Sequence, residues 1–173
     1  ILCIYFKICN IAKNTKMKIL LLAIGKINDQ YLSTSIEKYT SRINHYVNFQ
    51  INDIYQKSAS KKLSFIEYKN KEAELIMKKL LPSDYVILLD EKGDLQSSIN
   101  FSKKIQSYMN RGISRLVFII GGAYGSSEKI FNRSDHIISL SKMTFSHQMA
   151  RLFFVEQLYR AYTIIKNESY HHQ

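Results

Sequence analysis

The stretch Leu116-Val-Phe-Ile-Ile-Gly-Gly-Ala-Tyr-Gly125 decides the fold. Five consecutive apolar residues, rich in β-branched and aromatic side chains, form a strand buried on both faces, as in a parallel sheet covered by helices. Three glycines within the next five residues then let the backbone turn sharply or approach a ligand closely. Working outward, Lys18-Ile-Leu-Leu-Leu-Ala23 before Gly25 and Tyr85-Val-Ile-Leu-Leu-Asp90 repeat the pattern of a short apolar run. Phe49, Ile51 and Ile54 mark another strand, and His136-Ile-Ile-Ser-Leu140 a fifth.

Between these runs the period changes to that of a helix. Leu32, Ile36, Tyr39 and Ile43 recur at helical spacing behind Asp29, a residue suited to capping, and predict a helix over 30–45. Further helices are expected before Pro82, over 98–110, shortly after Gly125 and over 147–165. Five strands alternating with five helices specify an α/β fold with a mostly parallel sheet and helices on both faces. Ligands in such folds lie at the carboxyl ends of the strands, which directs attention to the loops after Leu89, Ile120 and Leu140.

The 173 residues, 46% of them hydrophobic and 23% charged, suit one globular domain with a sizeable core. No apolar run reaches membrane-spanning length, so no membrane partner is expected. A formal net charge of +11 favours a polyanionic partner, although charge alone does not distinguish RNA binding from ordinary basic character. Both cysteines, Cys3 and Cys9, lie in the first ten residues, which removes thiol chemistry from the rest of the chain. No close His/Cys ligand set occurs, and no metal is expected. Residues 1–16 carry no small-residue cleavage pattern; they read as an extension outside the fold, with the domain running over 17–173.

Three segments could carry chemistry. Gly121-Gly-Ala-Tyr-Gly125 is either a tight turn or a nucleotide-type ligand loop; its spacing matches neither the dinucleotide-binding fingerprint nor a P-loop. Ser141-Lys-Met-Thr-Phe-Ser-His147 joins a strand to a long helix and could offer backbone groups to a purine, with Met143 and Phe145 equally readable as core and Ser146 as the helix cap. Glu156 and Arg160 stand four apart on that helix, consistent with an ordinary surface ion pair, and Tyr170-His171-His172 forms the other titratable cluster. The Lys57-Ser-Ala-Ser-Lys-Lys62 stretch is a polar basic loop that could touch phosphate.

Taken together, Gly121–Gly125, Leu140–His147, Glu156-Gln-Leu-Tyr-Arg160 and Tyr170-His171, with the opening Lys18–Lys26 and Leu88-Leu-Asp90, resemble the RlmH family of ribosomal RNA methyltransferases. The resemblance covers essentially all of 17–172. It implies a SPOUT-class fold with a C-terminal trefoil knot, an S-adenosyl-L-methionine cofactor, a homodimer and a cytoplasmic location. The implied reaction is methylation of N3 of a pseudouridine in 23S rRNA on the assembled ribosome, in the hairpin facing the decoding centre. By position, the cofactor would be held by Leu89, Gly121, Leu140, Ser141, Lys142, Met143, Thr144 and Phe145. His171 with Tyr170 would take the imide proton, and Arg160 would hold a phosphate or the developing anion. Ser146 stands where many relatives have proline; a serine caps the same helix, so the change touches loop rigidity rather than chemistry. A related methyltransferase acting on tRNA and a ribosome-binding protein without activity are the competing expectations.

Overall fold

The computed structural model describes residues 17–55 and 64–170. Its elements run β1 (Lys18–Ile24), α1 (Gln30–Ile43), β2 (Asn48–Ile54), α2 (Phe65–Met77), β3 (Tyr85–Leu95), α3 (Ser98–Asn110), β4 (Arg115–Ile120), α4 (Glu128–Arg133), β5 (His136–Ser139) and α5 (His147–Ile165). All five strands are parallel, in the order β2-β1-β4-β3-β5. The expected α/β architecture is therefore present, and the basic loop over 57–62 lies outside the described residues.

The two-residue period of the strands sorts their side chains into two cores. Ile19, Leu21 and Ala23 of β1, Ile87 of β3, and Leu116, Phe118 and Ile120 of β4 face α1, α3 and α5. Leu22, Val86, Leu88, Val117 and Ile119 point the other way, against Ala73 and Ile76 of α2 and Ile130 of α4. Burial on both faces explains why these strands are continuous apolar runs rather than alternating ones.

Local chemistry starts the helices where expected. Asp29 accepts a hydrogen bond from Leu32 N at 3.0 Å, and Ser146 one from Met149 N at 3.3 Å. Ser64 and Glu67 form a reciprocal capping box at α2.

One expectation needs correction. The segment after Leu89 is not a free loop: β3 continues to Leu95. Its pairing with β5 shifts register, so Leu89 and Asp94 both pair with Ile138. The intervening residues bow out and return, and Gly93 lies so close to β5 that a Cβ would sit 2.6 Å from the backbone N and C of Ile138. Only glycine allows that approach.

Candidate functional site

β4, β3 and β5 are neighbours in the sheet, so the segments leaving their carboxyl ends converge at one edge. There they enclose a cavity of about 600 Å³. Leu89, Gly121, Leu140, Ser141, Met143, Thr144 and Phe145 all line it; Lys142 does not, and its side chain is exposed. Met143 is 74% exposed, which overturns its reading as a core residue. Phe145 is half-buried and packs on Phe153 of α5 with ring centroids 4.6 Å apart.

The loop from β5 to α5 is held by its own polar groups. Ser139 Oγ donates to Ser141 O at 2.7 Å, Ser141 Oγ accepts from Met143 N at 2.9 Å, and Thr144 Oγ1 donates to Glu91 Oε2 at 3.2 Å. The last bond ties the loop to the bowed part of β3. At Gly121 a Cβ would lie 2.6 Å from Ser126 Oγ and 3.3 Å from Ser126 N, so a side chain there would have to displace the Ser126 hydroxyl. Backbone and small polar groups thus border a partly apolar cleft of a size that holds a nucleoside-like molecule.

A second chamber of about 320 Å³ adjoins the first, sharing Gly122, Ala123, Tyr124 and His147. Its buried acid is Glu72 of α2, only 4% exposed and tucked against Gly122, where a Cβ would come within 2.6 Å of Glu72 Oε1. Burial pushes the Glu72 carboxyl from its ordinary 4.5 up to about 7. His147, which also lines the chamber, is shifted down, first by burial and then by the nearby Arg151, which favours the neutral imidazole.

Arg151 anchors this end of the sheet. Its side chain is fully buried in α5; Nη1 donates to Asp53 Oδ1 at 2.7 Å, and Nη2 to the carbonyls of Ile24 and Gly25 at 2.7 and 2.6 Å. These bonds fix the β1 turn at Gly25, whose φ of 89° suits glycine. Neither Glu72 nor the Arg151–Asp53 pair was picked out from the sequence. The available signal was an acid four residues before Ile76, on the buried face of α2, and an arginine among the buried positions of α5.

The other proposed reactive residues lie elsewhere. Arg160 bonds Glu156 through Nε at 3.0 Å, Tyr170 Oη donates to Glu156 Oε1 at 3.1 Å, and the Arg160 guanidinium lies 4.8 Å over the Tyr170 ring. Tyr39 Oη is 3.3 Å from Tyr170 Oη. The Glu156–Arg160 pair is thus part of a half-buried network, not the ordinary surface pair expected. Burial and the Tyr39 and Glu156 contacts raise the Tyr170 phenol above its ordinary range, and Glu156 raises Arg160. Thirteen residues of helix separate His147 from Arg160, roughly 20 Å at 1.5 Å per residue. Neither Arg160 nor Tyr170 lines either cavity. His171 lies outside the described residues.

Comparison with known proteins adds three findings. A family model described as a predicted SPOUT methyltransferase matches residues 17–171. Proteins named ribosomal RNA large subunit methyltransferase H from Flavobacterium psychrophilum and Christiangramia forsetii are each 52% identical over 157 residues, covering 91% of this chain and all of theirs. The protein of that name from Parabacteroides distasonis is 48% identical over the same length. A solved structure of a probable methylase family protein from Haemophilus influenzae superposes with a TM-score of 0.50 at 13% identity, over 87% of this chain and 67% of that one, a likeness of fold.

Proposed function

This chain belongs to the SPOUT methyltransferase family, within the group that contains the large-subunit methyltransferase H proteins, and from that premise we propose that it methylates N3 of a pseudouridine in 23S rRNA on the assembled ribosome. The observation that carries the reading is the cavity at the ends of β3, β4 and β5, lined by seven of the eight cofactor-site residues expected from the sequence. Its volume, its backbone-rich loops and its apolar walls at Leu89, Ile120 and Leu140 fit S-adenosyl-L-methionine. Bound there, that cofactor would supply an electrophilic methyl group.

The rest of the chemistry falls to the chain's own residues. Leu140 to Phe145 and the Gly121 turn would hold the adenosine and exclude water, so that alignment of donor and base supplies much of the rate. Imide N3 is largely protonated at neutral pH, and a base must receive its proton. His171, oriented by Tyr170, has that role in this account, and Arg160 offers a permanent positive charge to a phosphate or to the developing anion. Because Arg160 stands roughly 15 Å along α5 from Ala150, the last residue of that helix to line the cavity, and Tyr170 packs beside Arg160, they would act in a site supplied by a second copy of the chain. A homodimer with composite active sites follows.

A trefoil knot over the C-terminal region is part of the same reading. It rests on membership of the family, whose model matches residues 17–171. Residues 1–16 would be dispensable, and a chain beginning at Met17 is expected to keep full activity.

The test is methyl transfer from labelled cofactor to ribosomes lacking the modification, beside free rRNA and tRNA. Labelling confined to ribosomes is expected. Labelled tRNA would keep the chemistry and replace the substrate, while ribosome binding without transfer would leave a binding protein.

A further inference from the structure

The chamber beside the cofactor cavity has no assigned occupant. Glu72 closes its inner end as a buried carboxyl with no hydrogen-bond or ion-pair partner among the described residues. Burial of that acid carries a partial desolvation cost, which a ligand that donates a hydrogen bond would offset. The outer wall is aromatic. Phe65 and Tyr124 lie with centroids 4.7 Å apart, Tyr68 meets Tyr124 edge-on at 5.5 Å, and Phe65 and Tyr124 are 67% and 51% exposed. Among the described residues no Lys or Arg lines the chamber, and its chemistry there suits an uncharged planar ring rather than a phosphate. Aromatic surfaces of this kind accept splayed-out bases of RNA.

We propose that this chamber receives the target base, and that Glu72 reads pseudouridine by accepting a hydrogen bond from its N1–H. The proposal rests on the reading of the enzyme as a pseudouridine methyltransferase. Pseudouridine is joined to ribose through carbon, which frees N1–H on the edge where uridine has only C5–H. A carboxyl group in either protonation state offers an acceptor to that N–H. Against uridine the same buried acceptor stays unpaired, and a site built around a missing hydrogen bond discriminates strongly. Gly122 lets the Glu72 carboxyl lie against the backbone, since a Cβ there would come within 2.6 Å of Oε1 and displace the carboxyl. The chamber shares a wall with the cofactor cavity through Gly122–Tyr124 and His147, so a base held there lies next to the methyl donor's site.

The experiment titrates the protein, loaded with S-adenosylhomocysteine, with pseudouridine 5′-monophosphate and with uridine 5′-monophosphate, following the amides of Gly122 and Ala123 by NMR. Saturable shifts there with pseudouridine monophosphate, at least tenfold weaker with uridine monophosphate, are expected. Glu72→Met should abolish the preference without changing S-adenosylhomocysteine affinity, and Glu72→Gln, whose amide oxygen still accepts, should keep part of it. Equal binding of the two nucleotides, shifts only elsewhere, or an unchanged preference in Glu72→Met would overturn the proposal. Ribosome methylation by the same proteins separates the two readings. An inactive wild type that still prefers pseudouridine monophosphate would refute the enzymatic assignment alone. An active Glu72→Met with wild-type kcat/KM would refute the chamber's role alone.

Discussion

Arg151 has the largest fully buried side chain described, and it joins three elements through one guanidinium: Asp53 at the end of β2, and the carbonyls of Ile24 and Gly25 at the end of β1. Removing it would leave a partly buried carboxylate and two carbonyls without their donor. Arg151→Met is therefore expected to cost about 3–5 kcal/mol in urea denaturation, the usual cost of breaking one side of a buried ion pair. Glu72 gives a different signature. Its folded pKa of about 7 lies above its ordinary 4.5, so the folded state binds the proton more tightly than the unfolded chain. The associated stability is present below about pH 4.5 and lost as pH rises through about 7, a swing of roughly 1–3 kcal/mol. The other titratable groups that line its chamber are Tyr68 on its own helix, Tyr124 on the β4 loop and His147 on α5. Glu72→Gln should flatten this slope in stability measured from pH 5 to 8; an unchanged slope would place its origin elsewhere.

The elements themselves were largely legible. Uninterrupted apolar runs identified the core strands because the sheet is covered on both faces, and Asp29 and Ser146 cap the helices they were expected to start. The extension of β3 was not legible. Glu91-Lys-Gly-Asp94 is polar and reads as a loop, yet its backbone returns to pair with β5, an interaction set by tertiary approach and not by composition. Gly93 was visible as a glycine, but its reason, contact with the Ile138 backbone, exists only in three dimensions. Gly93→Ala must move one of two paired strands apart, and it is expected to destabilise the fold by about 1–3 kcal/mol and weaken cofactor binding together. A thermal melt and a calorimetric titration with S-adenosylmethionine check both effects. At α5, Ser146→Ala should cost about 1 kcal/mol through loss of the cap.

At the scale of the molecule, the start of α5 borders the cavity at the strand ends, and its Glu156 and Arg160 join Tyr39 and Tyr170 in a separate network. The sequence singled out both groups of residues, and the segments after Leu89, Ile120 and Leu140 line one cavity. Their separation follows from the helix expected over 147–165; what the sequence could not convey is that the chain beyond α5 returns to place Tyr170 against Glu156 and Tyr39. A dimer that brings one copy's tail to the other's cavity makes a specific prediction. Two inactive variants, Arg160→Ala and Gly121→Val, should regain about a quarter of wild-type activity when mixed and refolded, since some composite sites then combine two intact halves. Activity that stays at the level of either variant alone would mean that each chain works by itself. The measurement closest to the central claim remains transfer of labelled methyl groups to ribosomes lacking the modification, followed by mass spectrometry of the isolated nucleotide. The account predicts one N3-methylated pseudouridine in 23S rRNA; methylation at any other base, or none on ribosomes that the protein binds, would contradict it.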